Sequence, residues 1–227
     1  MFKPTKPKLI GICGGSASGK TSISDELRVL MGSVEVISMD NYFTTSNYKA
    51  NMTREEYLRT HNFDSLESFN VDLFVDHLRL LCAGKSVQMP IYDYSTSTYI
   101  GSKTIYPSNY ILVDGILLLA SEKIRNCLDL KIYVDCNKDI RYSRRLRRDT
   151  KERGASYDIV KQQLDTYVKE MHYIFIEPNK LFANIIIDNS ESLNNKEFQI
   201  KVYELYETVK RKFKEIDLLS GNYEEMC

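Results

Sequence analysis

The sequence predicts an α/β fold, a parallel five-stranded sheet flanked by helices, on two observations. First, five short apolar, β-prone runs (9–13, 34–39, 111–113, 131–134 and 185–187) are separated by helical stretches, the pattern of parallel strands joined by crossover helices. Second, each run gives way to a glycine loop or an aspartate: Gly14, Asp40, Asp114, Asp135 and Asp188. A single Asp after a strand is usually a turn former or a helix cap. Four of them beside a glycine loop point instead to a polar rim beyond the carboxyl ends of the strands, where sheets of this kind bind ligands.

The first run leads into Gly14, Gly15, Ser16, Ala17, Ser18, Gly19, Lys20 and Thr21, which have the phosphate-loop spacing of Gly, four residues, then Gly-Lys-Thr. Backbone N–H groups can point inward at phosphate oxygens only where no Cβ obstructs them, and the helix that follows adds unpaired donors and partial positive charge. Lys20 is expected to reach the β- and γ-phosphates of ATP and the Thr21 hydroxyl to ligate Mg²⁺; Ser22 completes the expected ATP-binding stretch. Ile23, Leu27, Leu30 and Met31 fall on one face of the helix, and Gly32 stops it. Strand, loop and helix in that order make this a P-loop NTPase-type sheet.

Further along, Thr53-Arg54-Glu55-Glu56 has the capping-box pattern that opens a short helix. Val71, Phe74, Val75, Leu78, Leu81 and Cys82 recur at helical spacing and Gly84 ends that helix; His77 on it reads as a bystander. Between about 86 and 106, Val87, Met89 and Ile91 alternate with other residues before Tyr92-Asp93-Tyr94, and a second polar, β-prone segment runs from Thr98 to Tyr106, which predicts a β-hairpin flap, the alternative being a solvated meander. Asp114 falls where a P-loop enzyme keeps its second metal-holding acid, and Asp40 where a general base for an acceptor hydroxyl sits. Residues 139–149 form a helix with Arg141, Arg144, Arg145 and Arg148 on one stripe, read as part of an arginine lid over about 139–163, although Asp149 and Glu152 are at hand to pair with them. Phe198, Val202, Leu205, Tyr206, Val209 and Phe213 place an amphipathic helix over about 195–219.

Length and charge narrow the class. The 227 residues, 43% hydrophobic and without internal repeats, suit one large α/β domain spanning 1–227. Lys plus Arg equals Asp plus Glu at 31 each, so no global field favours nucleic acid or a membrane surface. The longest apolar run, 116–120, is far short of a membrane span. Five cysteines (13, 82, 127, 136 and 227) are scattered without metal-ligand spacing; Cys13 and Cys136 read as core residues, and a reduced, cytoplasmic setting is expected.

Taken together, these residues make the chain resemble the uridine–cytidine kinases. The resemblance rests on the phosphate loop, Ser38-Met39-Asp40-Asn41-Tyr42, Asn62-Phe63-Asp64-Ser65, Pro90-Ile91-Tyr92-Asp93-Tyr94 and Val113-Asp114-Gly115-Ile116-Leu117, with the arginine-rich 144–154 and Phe175-Ile176-Glu177-Pro178-Asn179-Lys180, in family order from residue 9 to about 190. It implies transfer of phosphate from ATP to the 5′-hydroxyl of a pyrimidine ribonucleoside in pyrimidine salvage, and often a homo-oligomer, dimer or tetramer. It also implies roles: Asp40 as the base and, with Thr21 and Asp114, near Mg²⁺; Asp64 and Arg145 on the ribose hydroxyls; Tyr92 and Tyr94 around the base. Arg148 and Arg153, with Lys20, would neutralise the transferring phosphate, and Gln163 would serve the nucleoside side. Four positions depart from the pattern. Ser97 stands where the family carries a base-reading His, Tyr99 and Ala155 where it carries Arg; Asp114 also replaces the commoner Glu. These departures leave room for a relaxed or changed base preference and keep two alternatives open: a kinase of the phosphoribulokinase or pantothenate kinase type, and a non-catalytic ATP-binding relative.

Overall fold

The computed structural model describes residues 6–44, 52–191 and 194–224, the last with side chains through residue 219. All five apolar runs are strands of one parallel sheet. β1 (Lys8–Cys13), β2 (Val34–Ser38), β5 (Tyr110–Asp114), β6 (Leu130–Asp135) and β7 (Ile185–Asp188) lie in the order β2-β5-β1-β6-β7. β3 (Val87–Asp93) and β4 (Thr98–Ile105) pair antiparallel as the expected flap, with a bulge between Ile91 and Tyr92. Among the described residues the α-helices of four or more residues are α1 (Lys20–Met31), α2 (Arg54–Thr60), α3 (Val71–Cys82), α4 (Glu122–Arg125), α5 (Lys138–Lys151), α6 (Tyr157–Gln163) and α7 (Asn195–Glu224).

The strand sequences are apolar at consecutive positions because the sheet is covered on both faces. Successive side chains point to opposite sides, so Leu9, Ile37, Ile111 and Val113 pack with Phe74 and Leu78 of α3 and with Val87 and Ile105 of the flap. Ile10, Ile12, Leu112 and Ile132 pack on the other side with Ile23 and Leu27 of α1 and with Val202, Leu205, Val209 and Phe213 of α7. Central β1 has no exposed surface at Leu9, Ile10 or Ile12. Cys13 and Cys136 are buried, as expected.

Helix ends follow the local chemistry. The α2 capping box forms in full, and the Asn70 side chain accepts from the N–H of Leu73 to open α3. His77 bonds the Tyr42 hydroxyl at 2.7 Å and is a packing residue. The lid region resolves into two helices, α5 and α6, joined by a turn with Gly154 at φ +65°. After α6 the chain continues through two π-helical segments, Leu164–Val168 and His172–Ile176, that no periodicity announces. α7 runs one turn beyond the expected 219.

Candidate active site

Parallel pairing lines up the polar ends of the strands. Ile12 of β1 and Ser38 of β2 both pair with Asp114 of β5, so the loop after β1 and the turn after β2 open on one edge. Asp40 lies on the second of these, in the 3₁₀ turn Met39–Tyr42.

The loop itself is built around its glycines. Gly14 has φ +145°, and a Cβ there would lie 2.3 Å from the Val134 carbonyl oxygen. Gly19 has φ +98°, and a Cβ there would lie 2.2 Å from the amide nitrogen of Asn189, which donates to the Ser18 carbonyl at 2.8 Å. Behind Gly15 the buried Arg141 donates from Nε to the Cys136 carbonyl at 3.1 Å. Ser18 is fully buried. Lys20 is buried too, its Nζ 3.1 Å from the Gly15 carbonyl, which parks a cation at the mouth of the loop.

Side-chain oxygens gather beside it. The Thr21 hydroxyl donates to Asp114 Oδ2 at 3.1 Å, while Asp114 Oδ1 is buried with no hydrogen-bond partner. Among the described residues no group of three His, Cys, Asp or Glu side chains could hold a metal alone. A hydroxyl and two carboxylates, one with an orphaned oxygen, fit a Mg²⁺ that draws its remaining ligands from phosphate and water.

On the acceptor side the Tyr94 hydroxyl donates to Asp40 Oδ2 at 2.5 Å. Burial, reinforced by the Asp40 charge, raises the Tyr94 hydroxyl well above its ordinary pKa, so it remains a donor. The Arg153 guanidinium lies 3.5 Å over the Tyr94 ring. Arg145 Nη1 reaches Asp64 at 3.2 and 3.4 Å, and its Nε lies 3.3 Å from Asp149. Burial works against the charge on Arg145, but Asp64 and Asp149 outweigh it and hold the guanidinium cationic. Asp149 also pairs with Arg148 at 2.7 Å and Arg153 at 3.4 Å. Burial alone would raise its carboxyl; the three arginines leave it below the usual range.

Two clefts meet at the loop. An inner cleft is lined by Ser16, Asp40, Asp64, Tyr92, Tyr94, Ser97, Asp114, Arg145, Arg148, Arg153, Ala155 and Gln163, with Arg54 and Phe63. An outer cleft is lined by Gly19, Ser22, Arg144, Arg147, Glu152 and Asn189. Both include Ala17, Lys20, Thr21 and Arg148. The arrangement suits a phosphate donor lying outside, an acceptor inside, and a transferring group between Lys20 and Arg148.

Nearly every residue singled out from the sequence therefore converges on this edge, with three adjustments. The arginine stripe splits: Arg141 turns under the loop and Arg144 to the Asn189 carbonyl at 3.1 Å, while Arg145 and Arg148 face the inner cleft. Tyr99 borders neither cleft; its hydroxyl donates to the Phe43 carbonyl and fastens the flap. Gln163 donates to the Leu58 carbonyl at 2.6 Å, so its amide nitrogen is engaged. Ser97 is buried at φ +54°, in a turn where Asp93 accepts from the Ser95 N–H at 2.9 Å and the Thr96 hydroxyl. Arg54 and Asn189 were not anticipated: a lone Arg in a capping box and an Asn after a strand carry no motif.

The profile of the phosphoribulokinase / uridine kinase family matches residues 9–194. The chain belongs to that family. It is 38% identical to a uridine kinase of Streptococcus thermophilus over 196 residues, 83% of this chain and 89% of the relative. It is 40% identical to a uridine kinase of Geobacillus kaustophilus over 185 residues, 80% and 86% of the two chains. The fold is shared with the phosphoribulokinase of Rhodobacter spheroides (TM-score 0.59, 16% identity, 81% of this chain and 70% of that one). The protein is thus a P-loop kinase of the phosphoribulokinase / uridine kinase family. No helix among its described residues is long and apolar enough to cross a membrane.

In this family member the buried acid at the end of β5 carries a stability cost. Burial pushes the Asp114 carboxyl up to about 6, Lys20 opposing and Asp40 adding to the rise. A folded-state pKa above the unfolded one means that Asp114 favours folding below about pH 4 and loses that contribution as pH rises through about 6. Asp114→Asn is therefore expected to raise the melting temperature of the ligand-free protein at pH 7.5 by a few degrees, an effect of about 2–3 kcal/mol, and to leave it unchanged at pH 4. Calorimetric melts at the two pH values check this; a lower melt at pH 7.5 would contradict it.

Proposed function

We propose that the protein transfers the γ-phosphoryl group of ATP to the 5′-hydroxyl of a pyrimidine ribonucleoside, uridine or cytidine, in pyrimidine salvage. The observation that carries this reading is the shared cleft: the loop lysine and the Asp40 carboxylate open on the same space as the buried Asp64–Arg145 pair and an aromatic wall. Gly14, Gly15, Ser16, Ala17, Ser18, Gly19, Lys20, Thr21 and Ser22 would hold the ATP phosphates, and Thr21, Asp40 and Asp114 the Mg²⁺. When bound, the metal would neutralise charge on the phosphate oxygens.

The protein's own groups supply the rest. Asp40 accepts the proton of the acceptor hydroxyl, with one carboxylate oxygen already held by Tyr94. Lys20, Arg148 and Arg153 offset the charge that spreads over the transferring phosphoryl oxygens. Asp64 can accept from two ribose hydroxyls while Arg145 donates, a pairing that a 2′-deoxyribose only half fulfils. Tyr94 and Tyr92, with Phe43 and Phe63, present flat apolar faces that suit a base better than a sugar phosphate. Ser97 offers a hydroxyl that donates or accepts as it rotates, so it serves uracil and cytosine alike.

A coupled assay of ADP release over a panel of nucleosides, ribulose 5-phosphate and pantothenate tests the proposal. Uridine and cytidine are expected to be the leading acceptors, with rates within about tenfold of each other. Turnover with the sugar phosphate or pantothenate but no pyrimidine ribonucleoside would overturn it. ATP binding with no turnover on any acceptor would favour the non-catalytic alternative.

A further inference from the structure

We infer that Arg54 is a positioning residue that clasps the flap to the lid across the acceptor cleft and preorganises that cleft for its nucleoside. The inference rests on the nucleoside reading of the cleft.

The local sequence makes Arg54 a fixed point. Thr53 Oγ1 accepts from the Glu56 N–H at 3.2 Å and Glu56 Oε2 accepts from the Thr53 N–H at 2.7 Å, so the first turn of α2 is tied reciprocally to its cap. From the residue that follows the cap, the guanidinium reaches into the wall of the inner cleft. There Nη2 donates to two main-chain oxygens at once, that of Tyr94 in the flap at 2.9 Å and that of Arg153 in the lid at 3.1 Å. These two residues already touch through their side chains, the Arg153 guanidinium lying over the Tyr94 ring. One cation therefore bonds the backbones of two segments that come from separate parts of the chain and roof the same space.

The contacts explain why the residue is an arginine. A planar fork with five donors can satisfy two carbonyls and still present N–H groups elsewhere; a methionine of similar length offers none. Arg54 Nε is buried without a hydrogen-bond partner, and the side chain lines the cleft with Asp64 and Gln163. A buried donor without an acceptor is costly, and an oxygen of a bound nucleoside is the kind of group that would complete it. Holding flap and lid together before the substrate arrives lowers the ordering cost of binding, which raises affinity without adding a catalytic group.

The test compares uridine binding and ATP binding by titration calorimetry, each without the other ligand, for the wild-type protein, Arg54→Met and Arg54→Lys. Arg54→Met is expected to weaken uridine binding by about tenfold and to leave ATP affinity within about twofold, because the outer cleft does not include Arg54. Arg54→Lys is expected to recover part of the loss, since an ammonium still donates to the carbonyls. Limited proteolysis within the lid is expected to run faster in Arg54→Met and to slow again in Arg54→Lys. If Arg54→Met binds uridine as the wild type does, the clasp is refuted while the nucleoside reading stands. An equal loss of uridine and ATP affinity with a lower melting temperature would also refute it, by showing a general loss of structure. A wild-type protein that binds no pyrimidine nucleoside would remove the underlying reading, and the clasp with it.

Discussion

Asp40→Asn is expected to lower uridine-dependent ADP release by about 10³-fold, within the 10²–10⁴ range that a positioned general base contributes. The amide preserves the shape of the side chain, and its carbonyl oxygen can still accept the Tyr94 hydroxyl that now lies 2.5 Å from Oδ2. What it cannot do is take a proton. ATP affinity is expected to change less, because Lys20, Thr21 and the loop backbone remain, although loss of one carboxylate near Asp114 also eases the repulsion that helps hold that acid's pKa up. Single-turnover measurements separate the chemical step from product release. A variant that retains a tenth or more of the wild-type rate would mean that the proton leaves by another route and that Asp40 serves mainly the metal.

The fold was legible because a parallel sheet covered on both faces writes itself as consecutive apolar residues, and all five runs carry that pattern. The flap was legible for a different reason: in its first strand Val87 and Met89 are buried while Gln88 between them is exposed, which leaves alternation behind, and a polar β-prone run after the tyrosine-rich turn completes the hairpin. The path from Leu164 to Ile176 was not, since π-type turns break the 3.6-residue period by which helices are read. Nor could the sequence show that Gly154 divides the lid, because a glycine at a helix end resembles one in a helix until its φ is known.

The candidate site divides along the same line. Residues fixed by strand ends or by the loop, such as Lys20, Thr21, Asp40 and Asp114, announce themselves through position. Residues whose role lies in a partner far along the chain do not. Arg141 and Arg145 share one helix and are both buried, yet one props the loop and the other meets Asp64, 81 positions away. Arg54 is the extreme case, since both of its acceptors are main-chain oxygens, which any residue could supply. Tyr99, aligned by resemblance with a functional arginine, turned out to be a fastening for the flap because its hydroxyl finds the Phe43 carbonyl.

The Asp64–Arg145 pair gives the second large effect, and its size is not additive between single and double variants. Both side chains are almost fully buried, and Arg145 balances Asp64 on one side and Asp149 on the other. Asp64→Ala is expected to destabilise the protein by about 3–5 kcal/mol, because a buried guanidinium then loses half of its compensation. Arg145→Met exposes the opposite imbalance and is expected to cost a similar amount. The double variant removes both charges and leaves Asp149 with Arg148 and Arg153, so it is expected to cost less than the sum of the singles by about 2 kcal/mol or more. Urea unfolding of the four proteins closes that cycle. The same variants separate stability from recognition. If the pair also receives the ribose hydroxyls, the wild type prefers uridine to 2′-deoxyuridine, by about tenfold or more in kcat/KM, and the double variant loses the preference even though it folds. A double variant that keeps the preference would leave the pair as a structural link between α5 and the loop that carries Asp64, and would move ribose recognition to other residues of the cleft.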